Sequence, residues 1–132
     1  MSTKLTHKQK IEKAHIAIMR NKDWVWLAPT CLIGTVHITD DIPTAATDGR
    51  DVLYSPTFLD KLNDAQVRAT VIHENMHKAF RHMRVYQYLV ERHKDNVRIV
   101  NMAMDFVINR NIKKAAPFLE CWDGILEYCY NP

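Results

Sequence analysis

A chain of 132 residues, 47% hydrophobic and 25% charged, is long enough to bury one sizeable core, which excludes a disordered or fibrous polymer. The net charge of +3 is small and the basic residues are spread along the sequence, which argues against nucleic acid as a partner, because its recognition leaves a clustered basic stripe. No run approaches the roughly 18 to 20 apolar residues of a membrane span, Met1–Lys8 lacks a signal peptide's apolar stretch, and Cys31, Cys121 and Cys129 form neither a CxxC pair nor an even framework. The expectation is one cytoplasmic domain over residues 1–132 with reduced thiols and no membrane partner.

Thr6-His7-Lys8-Gln9 has the form of a capping box, and Ile11, Ala14 and Ile18 follow at helical spacing, so a first helix is predicted over about residues 7–20. Asn21-Lys22-Asp23 ends it. The β-branched stretch Cys31–Thr39 reads as a strand, Ala46–Arg50 as a turn and Asp51–Tyr54 as a shorter strand. Ser55-Pro56 before Phe58-Leu59 predicts a short helix. Asn63, with Gln66 three residues later, caps a long one carrying Val67, Ala69, Ile72, Met76, Phe80 and Met83 on its core stripe. Asp95 can cap a further helix reaching Lys114, with apolar residues at most positions from Ile99 to Ile108 and a stop at Pro117. The tail has a short helical pattern at Gly124–Tyr130. Trp24, Trp26 and Trp122 are expected in the core or at its rim.

The long helix contains His73-Glu74-Asn75-Met76-His77. Histidines four residues apart leave the same helix face one turn apart and can clamp one metal ion. Glu74 lies about 100° further round, where a carboxylate can reach a metal-bound water without itself binding. Relative to the core stripe the histidines fall on its shoulder, partly walled yet open to solvent.

A catalytic zinc needs a third protein ligand. His82 follows His77 by five residues, but on a continuous helix it points about 160° away from the other two, and Lys78–Arg81 contains no glycine to turn the chain. Asp105 is the single carboxylate between Ile99 and Asn109, and an apolar helix does not bury a carboxylate without a partner. Zinc would supply that partner, although Asp105 could instead hydrogen-bond a ligand histidine. Asn101 and Asn109 stand one turn either side of it and could orient it or a histidine from behind.

Four blocks in order, Ala46-Thr47-Asp48-Gly49-Arg50, Tyr54-x-Pro56-x-Phe58-Leu59, His73-Glu74-x-x-His77 with His82, and Asn101-x-Ala103-x-Asp105-x-x-Ile108-Asn109, resemble the metallopeptidase domain family of bacteria and phages over about residues 24–112. Larger members often carry a von Willebrand factor A-like module after this domain; none follows Asn131-Pro132, which suits either a short phage-type form, acting in the host cytoplasm if phage-encoded, or a trimmed chain. The resemblance implies an α+β, mostly helical, zincin-like fold, with a small sheet or hairpin packed on the HExxH helix and a second buried helix. It further implies Zn2+ on His73 and His77, Glu74 as the catalytic residue, Asp105 or His82 as the remaining ligand, and a protein or peptide substrate. Such enzymes take the peptide as an added strand, for which Cys31–Thr39 or Asp51–Tyr54 would be the sheet edge. The rival readings are a metal-dependent ribonuclease and a non-catalytic zincin scaffold that binds a partner protein.

Overall fold

The structure is a computed structural model that describes residues 4–113, apart from the side chains of His82, Met83 and Lys113. Helix α1 (His7–Arg20) starts as its capping box requires: the Thr6 hydroxyl accepts from the Gln9 N–H at 3.1 Å and the Gln9 side chain accepts from the Thr6 N–H at 2.9 Å. Ile11, Ala14 and Ile18 line its buried face. Full burial of each isoleucine stabilises the fold by about 1.5–3 kcal/mol.

The predicted strand over Cys31–Thr39 is much shorter. A single 3-10 turn over Val25–Leu27 leads into helix α2 (Ala28–Cys31), and only Val36–Ile38 forms strand β1. Trp24, Leu27 and Cys31 recur at spacings of three and four and are all buried, so a helical burial pattern overrides the β-branched composition. Between α2 and β1, Gly34 adopts φ 74°, and a Cβ there would collide with the Arg50 carbonyl. Only glycine fits.

Ala45–Thr47 forms strand β2, where the sequence suggests the start of a turn, and Val52–Tyr54 forms β3. The turn itself is tightened to Asp48–Asp51, with Gly49 at φ 99° and the Asp48 Oδ1 accepting from the N–H groups of Arg50 and Asp51 at 2.9 and 2.8 Å. The sheet order is β1-β3-β2: β1 runs parallel to β3 with Val36 opposite Val52 and Ile38 opposite Tyr54, and β2 runs antiparallel with Ala45 opposite Tyr54. The expectation that Asp51–Tyr54 offers a sheet edge is therefore corrected. β3 is central, because the alanine-rich β2 covers the side that was expected to be free.

Ser55 caps α3 (Pro56–Asp60), and Asn63 with Gln66 forms the capping box of α4 (Asp64–Ala79). Helix α4 is central: α1, α2, β2 and α6 (Val97–Lys113) all pack against it. Its residues from Ala69 to Met76 are buried on every side, so the expected apolar stripe is in fact a full sleeve. The helix ends at Ala79, short of the predicted Met83. Arg81 takes the left-handed conformation at φ 53°, and a separate helix α5 (His82–Arg92) begins after it. Phe80, expected in the core, is 37% exposed at this break.

A buried lysine secures that end of α4. Lys78 Nζ donates to the backbone carbonyls of Thr30, Ile33 and Arg50 at 2.9, 3.0 and 3.2 Å, tying α4 to the α2–β1 turn and to the turn before β3. Before α6, a 3-10 turn over Lys94–Asn96 contains Asp95, which is thus not the residue directly preceding the helix. Val100, Ile108 and Ile112 of α6 are buried. Trp24 is buried and stacks on the half-exposed Trp26 at 6.0 Å. Trp122, Cys121, Cys129 and the tail pattern at Gly124–Tyr130 lie outside the described residues. The architecture is α+β and mostly helical, and no described helix is long and apolar enough to cross a membrane.

Candidate metal centre

His73 and His77 leave α4 one turn apart, and α6 brings Asp105 between them. Asp105 Oδ1 lies 3.2 Å from the Nε2 atom of each histidine, and the two Nε2 atoms are 3.2 Å from each other. Donor atoms of the three residues lie within 4.8 Å of one another, and the imidazole rings meet edge to face at 80°. Tetrahedral ligands about 2.0–2.1 Å from a zinc ion stand roughly 3.4 Å apart. The three observed separations fit that edge length. Two imidazoles and a carboxylate are also a donor set that zinc accepts in catalytic sites, with the fourth position left to solvent.

Asn109, one turn beyond Asp105, is 1% exposed and its Oδ1 lies 3.0 Å from His73 Nδ1. An amide oxygen only accepts, so the proton sits on Nδ1 and the lone pair on Nε2 faces Asp105 and His77. Asn101, one turn before Asp105, is exposed and its side chain makes no hydrogen bond among the described residues. Of the two asparagines expected behind the ligands, the structure brings only Asn109 to the cluster.

His82 stands at the start of α5, beyond the reversal at Arg81, and its side chain lies outside the described part. The continuous helix that would turn it away from His73 and His77 does not exist. Arginine in a left-handed conformation supplies a break where the absence of glycine had pointed to a continuous helix, and sequence carries little signal for it.

Burial is the largest influence on the Asp105 carboxyl and alone would raise its pKa, but hydrogen bonds and charge from His73 and His77 together hold it well below the usual carboxylate range. Glu74, only 7% exposed, goes the other way: burial pushes its carboxyl up, His73 and His77 oppose the rise, and Asp105 adds to it. Two carboxylates within one site are thus driven apart, one kept ionised and one made more basic. That division suits a ligand and a proton acceptor.

Sequence reasoning missed Lys78. It sits one turn beyond Glu74 on the same helix face, and its carbonyl partners are backbone atoms that no residue pattern encodes. A separate hollow of about 470 Å³, lined by His37, Asp41, Asp48, Asp51 and Leu53 among others, includes none of His73, Glu74, His77 and Asp105.

A family model described as "Putative metallopeptidase domain" matches residues 6–119, a wider span than the four motif blocks. No curated protein and no solved structure gives a match to the chain.

Proposed function

Because the chain belongs to this metallopeptidase domain family, we propose that it is a zinc-dependent peptidase of the HExxH type, with His73, His77 and Asp105 as metal ligands and Glu74 as general base. The observation that carries the reading is the meeting of His73, His77 and Asp105 at 3.2 Å from two different helices, with the buried Glu74 beside them. Zinc held by His73, His77 and Asp105 would supply Lewis acidity, making a water more acidic and polarising the scissile carbonyl. Glu74 takes a proton from the attacking water as the carbon–oxygen bond forms, then delivers it to the leaving amine as the carbon–nitrogen bond breaks. Its raised pKa makes it the stronger base for the first half of that transfer. Asn109 keeps His73 in the tautomer that presents Nε2.

β1 and β2 are both sheet edges, and β2 is the better placed of the two for an extended peptide to add as a strand. β2 is a sheet edge and packs against α4, so a substrate strand alongside Ala45–Thr47 would run next to the helix that carries Glu74. Cys31, with its thiol pushed up to about 11 by burial, is unreactive and suits a reducing cytoplasm.

The deciding variant is Glu74→Gln. It should retain one zinc per chain and lose peptide hydrolysis by about 10² to 10⁴ in turnover. Undiminished hydrolysis would remove Glu74 from the mechanism, and chelator-sensitive phosphodiester cleavage without peptide cleavage would assign the site to a ribonuclease.

A further inference from the structure

Tyr54 ends the central strand β3, where its backbone is held by Ile38 of β1 on one side and Ala45 of β2 on the other. Its side chain has no solvent exposure, yet among the described residues the phenol oxygen has no hydrogen-bond partner. Burial of a hydroxyl in that state is costly, and folded proteins seldom keep one without a reason.

Two arguments identify the group it faces. The first is geometric. Lys78 stands one turn from Glu74 on α4, so both leave the same face of the helix. Lys78 reaches the carbonyls of Thr30, Ile33 and Arg50, and Arg50 lies two residues before the start of β3. That face of α4 is therefore turned towards α2 and the start of β3. Val52 and Tyr54, alternating with the half-buried Leu53, are the residues of β3 directed inward. The second argument is chemical. Glu74 and Cys31 are the ionisable groups whose charge bears on Tyr54. Cys31 stays a neutral thiol and is a weak acceptor. Glu74 is a buried carboxylate that makes no hydrogen bond among the described residues. A donor without an acceptor and an acceptor without a donor thus share one buried region.

We propose that Tyr54 is a positioning residue for Glu74: after a rotation of the Glu74 side chain, the phenol O–H donates to one carboxylate oxygen and leaves the other directed at the His73, His77 and Asp105 cluster. The inference rests on the reading of Glu74 as the general base. Tyr54 acts through Glu74 and not on the peptide, since no part of it is open to solvent.

Tyr54→Phe deletes the oxygen and keeps the ring, so the core remains filled. In metal-free protein, Tyr54→Phe should lower the urea midpoint of the wild type and leave that of Glu74→Ala unchanged or raised. Equal shifts in the two backgrounds would overturn the proposal. In zinc-loaded protein, Tyr54→Phe should keep full zinc stoichiometry and lower kcat about 10- to 100-fold with KM unchanged, as loss of alignment at a reacting group does. An effect confined to KM, or none, would also overturn it. If the wild type cleaves no peptide the proposed function fails, whereas the metal-free comparison still decides whether Tyr54 and Glu74 are bonded.

Discussion

Asn109 carries information beyond the ligand set. The His73 Nδ1–H is spent on the Asn109 Oδ1 at 3.0 Å, so the Nε2 lone pair is directed at Asp105 and His77. Asn109→Ala should weaken zinc binding about 10- to 100-fold in a competition titration with a chromophoric chelator, and unchanged affinity would show that packing alone orients His73. Lys78 acts at the same scale on stability. Burial, its largest influence, pulls the ammonium pKa below the usual lysine value; Cys31, Asp51 and Asp48 pull it back. The folded pKa is thus lower than the unfolded value of about 10.4, so between the two the unfolded chain binds more protons and unfolding free energy rises with pH. Lys78→Met removes that alkaline rise. It also leaves the carbonyls of Ile33 and Arg50 short of a donor, while Thr30 keeps the Ile33 N–H at 3.2 Å. The cost is about 1–3 kcal/mol for each one left buried and unpaired, which urea titration at pH 7 and at pH 9 would read. A variant as stable as wild type at both pH values would mean that the carbonyls find other donors. His73, His77, Asp105 and Asn109 were legible because their spacing repeats with the helix. Lys78 was not, since a lysine near a helix end ordinarily reads as a solvated charge.

The elements divide in a similar way. Helices α1, α3 and α4 begin where Thr6, Ser55 and Asn63 announce them, because an N-cap is a local interaction between residues two or three apart. The ends and the strands depend on distant neighbours. The segment Cys31–Thr35 has strand-like composition but follows Trp24 and Leu27 into the core on a helical period, while β2, with two alanines and a threonine, forms because β3 lies beside it. The end of α4 is the least local of all. Arg81 at φ 53° costs about 1–2 kcal/mol relative to an ordinary helical conformation, and the packing of α4 and α5 imposes it. Arg81→Gly should relieve that strain, less about 0.5–1 kcal/mol for the added freedom of the unfolded chain, and raise the urea midpoint by a net few tenths to about 1 kcal/mol without changing the slope. A lower midpoint would instead assign Arg81 a side-chain role that outweighs its backbone strain. Valine at this position, with its branched Cβ, should destabilise the turn.

At the scale of the molecule, the candidate ion would join α4 to α6, two helices that otherwise hold each other through residues such as Ile72, Met76, Ile108 and Ile112. An ion bound only by the folded chain stabilises it by RT ln(1 + [L]/Kd), about 2.7 kcal/mol at a hundredfold excess over Kd. For a domain of this size that is a rise of roughly 10 °C in the melting temperature, reversed by a chelator. The size of the rise in variants identifies the third ligand. Asp105 Oδ1 is 3.2 Å from the Nε2 atoms of both His73 and His77, so Asp105→Asn, which replaces the carboxylate by a weaker amide donor, should remove most of the zinc-induced shift. Asn101→Ala, at an exposed position, should leave it whole. His82→Ala tests the alternative that the break at Arg81 reopens, because a new helix beginning at His82 is no longer bound to the direction of α4. With Asp105 as the ligand, His82→Ala melts with the same zinc-dependent rise as wild type. If the rise vanishes in His82→Ala and survives in Asp105→Asn, the ligand set is His73, His77 and His82, and Asp105 becomes the carboxylate that orients two of them. A loss in both variants gives each a part in binding, and zinc-edge absorption of the Asp105→Asn protein then distinguishes three nitrogen ligands from two.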